Sequence, residues 1–231
     1  MFKIMRDLPK ITKNLLYINV IMFLATMAAG KIGLNLNEYL GLHLFIADDF
    51  KPMQIVTYMF MHGGFMHLFF NMFGLFMFGR ILENVWGSKR FLTFYLITGI
   101  GAGLIQEVVQ FIYYQTQLSM YSGVDLGAGF VVPMSQYLNT WITVGASGAI
   151  YGILLAFAMT FPNERMVVMP IPFPIKAKYF VLIFGAIELL SGMGNRAGDN
   201  VAHFAHLGGM LFGLIMILYW RKKGEIDGPY C

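Results

Sequence analysis

The sequence "HGGFMHLFFN", residues 62–71, sets two histidines and an asparagine inside an apolar segment long enough to cross a membrane. Polar and ionisable side chains are expensive at that depth, and those found there usually serve a function. At about 100° per residue, His67 and Asn71 lie on one helix face, whereas His62 lies about 140° from His67. A pair of donors on one face suits an anion or a developing oxyanion. The alternative is that these groups only join neighbouring helices by hydrogen bonds.

The composition indicates an integral membrane protein. Of the 231 residues, 58% are hydrophobic and 12% are charged, whereas soluble domains carry about 25% charged residues. The net charge of +4 does not indicate nucleic-acid binding, because the basic residues cluster at the ends of apolar segments, where membrane topology explains them. The only cysteine is Cys231, which excludes an internal disulfide framework and a cysteine-based zinc site.

Six apolar segments are each near the length of about 20 residues that crosses a bilayer. They are too uniformly apolar for barrel strands, which alternate, and only helices and closed barrels satisfy their backbone in lipid. The sequence therefore predicts one all-α, polytopic membrane domain over residues 1–231. Its predicted spans are about 14–30, 56–79, 90–113, 143–161, 177–194 and 201–220.

The distribution of basic residues predicts the orientation of the chain. When both termini are placed in the cytoplasm, only Lys31, Lys51 and Arg196 of the 16 Lys and Arg residues lie outside. The positive-inside rule favours this arrangement. The outer side then holds two long connections, at about 31–55 and 114–140, and connections of that length are often functional.

The fourth segment contains "GASGAIYG", residues 145–152, in which Ser147 precedes a GxxxG pair, Gly148 and Gly152. Such a pair lets a partner helix approach closely. A helix that begins near Ser147 and stops before Pro162 is only about 22 Å long, against a hydrocarbon core of about 30 Å. Ser147 is then sunk below the outer surface at a helix N-terminus, whose unpaired N–H groups favour an oxyanion. The alternative is that Ser147 is only a small packing residue.

The sixth segment contains "AHFAHLGGMLFG", residues 202–213, with a second GxxxG pair, Gly209 and Gly213. His206 shares the face of these glycines, whereas His203 lies about 80° or more away. We therefore expect the sixth helix to dock its glycine face on that of the fourth and to bring His206 to the serine there. A serine hydroxyl is a weak nucleophile until an adjacent base activates it.

No acid obviously completes a triad with His206. Asp199 precedes it but is predicted to lie in an outer loop, and nothing in the sequence ties Glu107 or Glu188 to it. The sequence therefore predicts a Ser–His dyad. Tyr151 lies one turn after the serine and is expected to orient the imidazole by stacking.

The second, fourth and sixth segments carry the motifs HxxxxHxxxN, GxSGxxYG and AHxxGxxxG, in this order. Their residues are His62, His67, Asn71, Gly145, Ser147, Gly148, Tyr151, Gly152, Ala205, His206, Gly209 and Gly213. Together the motifs resemble those of rhomboid intramembrane serine proteases, and the resemblance covers nearly the whole chain. The segment "QIVTYMFMHGGFMH", residues 54–67, is also similar to the family. Met53 departs from the aromatic residue that many members have before the glutamine, and the first outer connection lacks their common Trp-Arg pair.

The resemblance implies a six-helix bundle that hydrolyses peptide bonds in or near transmembrane segments of membrane-protein substrates. By this resemblance Ser147 forms an acyl-enzyme, and His206 acts as general base and then general acid. Asn71, His67 and the Ser147 backbone N–H hold the oxyanion, and His62 ties the first outer connection to the helix end. The expected partners are transmembrane substrates and membrane lipid, with no cofactor, metal or nucleic acid. The first segment lacks a suitable cleavage site, and we expect a bacterial plasma (inner) membrane location.

Two other classes of function stay open. One is a catalytically inactive rhomboid-like scaffold, which typically lacks the serine or histidine that this chain retains. The other is a transporter that uses the histidines to bind metal or protons, and it predicts no reaction with serine-directed probes. The sequence contains no HExxH motif for a zinc protease and no pair of aspartates within the predicted spans for an aspartyl protease.

Overall fold

The computed structural model describes residues 8–127, 129–167, 173–194 and 202–228, so Asp199 and Cys231 lie outside the described residues. The described chain is mostly helical. Five of its helices are long and apolar enough to cross a membrane, and a shorter apolar helix, Ser147–Thr160, accompanies them.

The helices are α1 (Lys10–Gly30), α2 (Leu36–Leu40), α3 (Gln54–Thr57), α4 (Phe65–Gly74), α5 (Arg80–Trp86), α6 (Ser88–Tyr113), α7 (Met134–Asn139), α8 (Ser147–Thr160), α9 (Ala177–Gly194) and α10 (His203–Lys222). A π-helical turn, Leu75–Gly79, joins α4 to α5, and another, Tyr114–Leu118, extends α6. The strands are β1 (Leu42–His43), β2 (Gly123–Asp125), β3 (Val131–Pro133), β4 (Ile142–Thr143), β5 (Arg165–Met166) and β6 (Ile175–Lys176). They form three antiparallel pairs, β1 with β4, β2 with β3 and β5 with β6.

The predicted start of the second span is wrong. Residues 56–64 do not extend the membrane helix. Residues 56 and 57 end α3, a 3₁₀ turn, Tyr58–Phe60, and a loop follow, and the helix begins at Phe65. The apolar side chains that suggested a span here, Tyr58 and Met59, are almost completely buried in protein instead of facing lipid. At its other end the helix continues beyond the predicted residue 79 to Trp86.

The fourth span is shorter than its predicted bounds of 143–161, because Ile142–Thr143 form β4 and the helix begins at Ser147. With 14 residues, α8 is about 21 Å long and is too short to cross a hydrocarbon core of about 30 Å. The short helix that starts at the serine is therefore confirmed. Helix α9 has the predicted bounds, and α10 begins two residues after the predicted start.

Helix α8 lies at the centre of the bundle, enclosed by α6 and α10. A Cβ on Gly152 would lie 2.9 Å from Thr98 of α6 and 3.0 Å from the carbonyl oxygen of Gly209 of α10. The outer helices α1, α4 and α9 instead expose large apolar side chains, such as Ile21, Phe70 and Leu190. In an integral membrane protein such a surface faces lipid, so the chain buries α8 in protein and presents α1, α4 and α9 to the bilayer.

The connection between α1 and α3 is tied to the segment that leads into α8. Strand β1 pairs with β4, with Leu42 opposite Thr143. The buried amide of Gln54 organises the same connection: its Oε1 accepts hydrogen bonds from the backbone N–H groups of His43 and Lys51, at 3.4 and 3.0 Å. The start of α8 is therefore held by a folded connection rather than by a loose loop.

Candidate active site

A glycine turn sets the direction in which α8 begins. Gly145 has φ of +130°, a conformation that L side chains rarely adopt, and its N–H donates to the carbonyl oxygen of Tyr58 at 2.9 Å. A Cβ on Gly145 would lie 2.7 Å from Nε2 of His67. The absence of a side chain therefore permits both the turn and the close approach of His67, two residues before Ser147.

Ser147 and His206 lie in direct contact. Nε2 of His206 is 2.8 Å from Oγ of Ser147, within the range of a hydrogen bond between a nucleophile and its base. His206 is buried, and Ser147 is the first residue of α8. The first N–H groups of a helix have no intrahelical acceptor, so the hydroxyl stands beside donors that suit an oxyanion.

The four predicted glycines allow the two helices to approach this closely. A Cβ on Gly209 would overlap the carbonyl oxygen of Gly148, and a Cβ on Gly213 would lie 3.3 Å from Cα of Gly152. The glycine faces of α8 and α10 thus meet. Gly148 also borders Ala102, since its own Cβ would overlap the Cβ of that residue. No pattern in the sequence indicates that this third helix, α6, lies at the junction.

Tyr151 lies flat against the imidazole of His206. The two ring centroids are 4.2 Å apart and the rings are inclined by 7°. Stacking of this kind restricts the rotation of the imidazole, as expected. The phenol hydroxyl of Tyr151 donates to Oε1 of Glu188, a contact that the sequence did not predict.

Glu188 of α9 is the residue that sequence reasoning missed. Its Oε2 lies 3.0 Å from Nδ1 of His206 and 2.6 Å from Nδ1 of His203. The carboxylate therefore faces the ring nitrogen of His206 that does not contact Ser147. No motif links Glu188 to the two histidines. The only signal was its charge, because a buried carboxylate within an apolar span is rare and usually functional.

Donor atoms of Glu188, His203 and His206 lie within 4.8 Å of one another, so this trio could hold a metal ion. Two ligands of one tetrahedral zinc ion, each about 2.0–2.1 Å from it, lie about 3.3 Å apart. The carboxylate is closer than that to both histidines, at 2.6 and 3.0 Å. The spacing is that of hydrogen bonds and ion pairs, and the expected lack of a metal stays a prediction.

His67 and Asn71 lie one turn apart on α4, and His67 borders the turn that precedes Ser147. Asn71 is buried, and its Nδ2 donates to the carbonyl oxygen of His67 at 3.0 Å. An amide nitrogen carries two hydrogens, which leaves Asn71 a second one to donate. The N–H of Gly63 donates to Nδ1 of His67 at 3.4 Å, so Nε2 of His67 is directed to the turn before Ser147.

His62 lies in the loop before α4 and is almost fully buried. Its ring is 5.1 Å from that of His67, in an edge-on arrangement. Its backbone carbonyl accepts a hydrogen bond from Nδ2 of Asn37, at 3.4 Å, which joins α2 to the loop before α4. Burial, reinforced by the neighbouring His67, lowers the pKa of His62 to about 4.

Comparisons with known proteins identify the same family. The family model described as "Rhomboid domain" matches residues 49–223. The rhomboid protease AarA of Providencia stuartii is 33% identical over 168 residues, which are 70% of this chain and 53% of that protein. The putative rhomboid protease YdcA of Bacillus subtilis is 26% identical over 174 residues, 74% of this chain and 69% of that protein.

Relatives from organelles match as well. The mitochondrial Rhomboid protein 1 of Saccharomyces cerevisiae is 25% identical over 190 residues, 81% of this chain and 48% of that protein. The chain thus spans about half the length of the Providencia and yeast relatives. The matched region nevertheless contains all the elements from α3 to α10 and every residue of the candidate site. The chain is an integral membrane protein that belongs to the rhomboid family.

Proposed function

We propose that this protein is an intramembrane serine endopeptidase that cleaves peptide bonds in or near transmembrane segments of other membrane proteins. The observation that supports this best is the 2.8 Å separation between Nε2 of His206 and Oγ of Ser147. A hydroxyl at the sunken N-terminus of a short helix, paired with an imidazole, is an activated nucleophile. The relatives named as rhomboid proteases support the same activity.

In the proposed reaction, Oγ of Ser147 attacks the carbonyl carbon of the scissile peptide bond while Nε2 of His206 takes the hydroxyl proton. The carbonyl oxygen becomes an oxyanion. When the tetrahedral intermediate collapses, the bond to the leaving nitrogen breaks and His206 returns the proton to that nitrogen. Water, deprotonated by His206, then hydrolyses the acyl-enzyme and restores the serine.

The oxyanion is proposed to accept hydrogen bonds from Asn71, His67 and the backbone N–H of Ser147. Two features support this assignment: the free hydrogen on the Asn71 amide, and the position of His67 beside the turn that precedes Ser147. Donors fixed before the reaction stabilise charge that develops in the transition state, and each is worth a few kcal/mol.

Covalent labelling with a fluorophosphonate in detergent tests the nucleophile. Native protein is expected to react, and Ser147→Ala is expected neither to react nor to cleave a transmembrane reporter in proteoliposomes. Ser119→Ala is a matched control, because its hydroxyl donates to the carbonyl oxygen of Gln115 in the second outer connection. Undiminished cleavage by Ser147→Ala would refute the proposal. A native protein that neither labels nor cleaves would favour the inactive scaffold or the transporter.

A further inference from the structure

Glu188 is a buried carboxylate that the reaction described above does not use. It lies in α9, and its two oxygens contact three side chains from two other helices. Oε1 accepts the hydroxyl of Tyr151 from α8. Oε2 faces Nδ1 of His203 at 2.6 Å and Nδ1 of His206 at 3.0 Å, both from α10. Each of these three side chains is either His206 itself or a residue beside it.

The contact between Glu188 and His206 is close but poorly aligned. Although the two atoms are 3.0 Å apart, Nδ1 of His206 makes no hydrogen bond of good geometry within the described part of the chain. Catalytic hydrogen bonds are often misaligned without substrate and tighten in the substrate complex.

We propose that Glu188 is a positioning residue for His206, so that the proposed protease uses a carboxylate-assisted Ser–His pair rather than an isolated dyad. This inference rests on the proposed function. The carboxylate favours the tautomer of neutral His206 in which Nδ1 carries the hydrogen. Nε2 of His206 is then free to accept the proton of Ser147. It also stabilises the imidazolium that forms when that proton arrives.

Tyr151 and His203 hold the carboxylate in place for this role. The hydroxyl of Tyr151 fixes Oε1, while its ring stacks on His206 and limits rotation of the imidazole. His203 approaches Oε2, the oxygen that also faces His206. Of the four side chains in this group, only His206 gains and loses a proton in the reaction. Glu188 stays ionised throughout, and it acts only through the orientation and charge of the imidazole.

Substitution of Glu188 by glutamine removes the charge and keeps the shape. A hydrogen bond to a charged group typically changes an equilibrium or a rate by about 10- to 100-fold, so Glu188→Gln is expected to lower kcat by that factor and to change KM little. The acid limb of the pH–rate profile is expected to move to lower pH, because the imidazolium of His206 loses a facing negative charge. His203, Tyr151 and His67 also border His206, and they are unchanged in this variant.

Two further variants separate positioning from folding. Glu188→Asp keeps the charge but draws the carboxylate back from Nδ1 of His206. Its kcat is therefore expected to lie below that of native protein and above that of Glu188→Gln, with the acid limb in place. Glu107→Gln is the matched control, since Glu107 is equally buried but accepts the backbone N–H of Phe45 at 2.7 Å in the outer connection. That variant is expected to lower the melting temperature without moving the acid limb.

The measurements are kcat, KM and pH profiles on one transmembrane substrate, normalised to the folded fraction. If native protein cleaves and Ser147→Ala does not, but Glu188→Gln retains native kcat and an unshifted acid limb, this inference is wrong and the proposed function stands. If native protein does not cleave, both fail. Should Glu188→Gln not fold, Glu188→Asp decides: native kcat per folded enzyme would overturn the inference, and a reduced kcat with native KM would support it.

Discussion

Nε2 of His206 lies 2.8 Å from Oγ of Ser147, although 59 positions separate the two residues in the chain. The contact depends on backbones that almost touch. A Cβ on Gly209, one turn after His206, would overlap the carbonyl oxygen of Gly148, the residue after Ser147. The close packing of α8 and α10 is therefore also what brings the proposed nucleophile and base together. A substitution that touches no reacting atom is expected to affect both the packing and the proposed chemistry.

The two histidines of α10 are expected to differ. His206→Ala removes the proposed base and should lower turnover by more than about 10³-fold, as loss of a triad member does. His203→Ala should retain activity to within about tenfold, because His203 contacts Glu188 but not Ser147. Steady-state cleavage of one transmembrane substrate, with melting temperatures, makes the comparison. Equal losses of activity from two equally stable variants would refute the assignment of His206 alone to the glycine face of α10.

Gly209→Val should disable the enzyme by separating α10 from α8. The branched side chain cannot fit against the carbonyl oxygen of Gly148, and a displacement near 1 Å at His206 is enough to cost about 10²-fold in rate. We expect lost activity together with a lower melting temperature. Gly30→Val is the control, because a Cβ at Gly30 meets no atom within 4 Å. A stable Gly209→Val protein with native activity would show that the close approach is dispensable.

The sequence was sufficient to predict the Ser147–His206 region because the relevant information is local. Glycine spacing marks one face on each helix, and His206 occupies that face on α10. The early stop at Pro162 also indicated a short α8. The functional roles of these residues stay predictions until they are measured.

The start of the second membrane helix was mispredicted for a physical reason. Hydropathy does not distinguish an apolar side chain that faces lipid from one that is buried in protein, and Tyr58 and Met59 are buried in the protein. Glu188 was missed for a different reason. Which face of α9 meets α10 depends on tertiary packing, and no local spacing encodes that. The periodicity of one helix carries no information about its partner's orientation.

Stability should depend on pH through His62, which lies outside the membrane-spanning helices. Its pKa is lowered to about 4 by burial, so between about pH 4 and 6.5 the unfolded chain binds a proton there that the folded protein does not. Stability attributable to His62 therefore rises with pH across that window and is lost as the pH falls. The lowered pKa of His62 corresponds to at most about 3 kcal/mol in the free energy of unfolding.

Melting temperatures of the detergent-solubilised protein between pH 4 and 7.5 measure this effect. His62→Ala is expected to be less stable at pH 7.5, because the buried ring and its edge-on contact with His67 are lost. Its melting temperature should nevertheless fall less steeply than that of native protein as the pH is lowered. Parallel curves for the two proteins would mean that His62 does not titrate between the folded and unfolded states as its burial implies.

Asn71→Ala should lower turnover much more than it weakens substrate binding, because the proposed amide donor serves the tetrahedral intermediate rather than the bound substrate. Loss of one oxyanion donor typically costs about 10²–10³ in rate. The loss is expected to lie at the lower end of that range, since His67 and a backbone N–H remain as donors. Steady-state kinetics in proteoliposomes separate kcat from KM.

The relation between Asn71 and His67 tests whether they serve one oxygen. His67→Ala should resemble Asn71→Ala, and the double variant should fall short of additive if both side chains contact the same oxyanion. The hydrogen bond from Asn71 to the backbone carbonyl of His67 survives the His67 substitution, because it does not involve the imidazole. Non-additivity then reflects the shared oxyanion and not a broken link between the two residues. A raised KM with unchanged kcat in Asn71→Ala would make Asn71 a substrate-binding residue. If both single variants are stable and their effects on kcat add fully in the double variant, the two side chains serve different atoms.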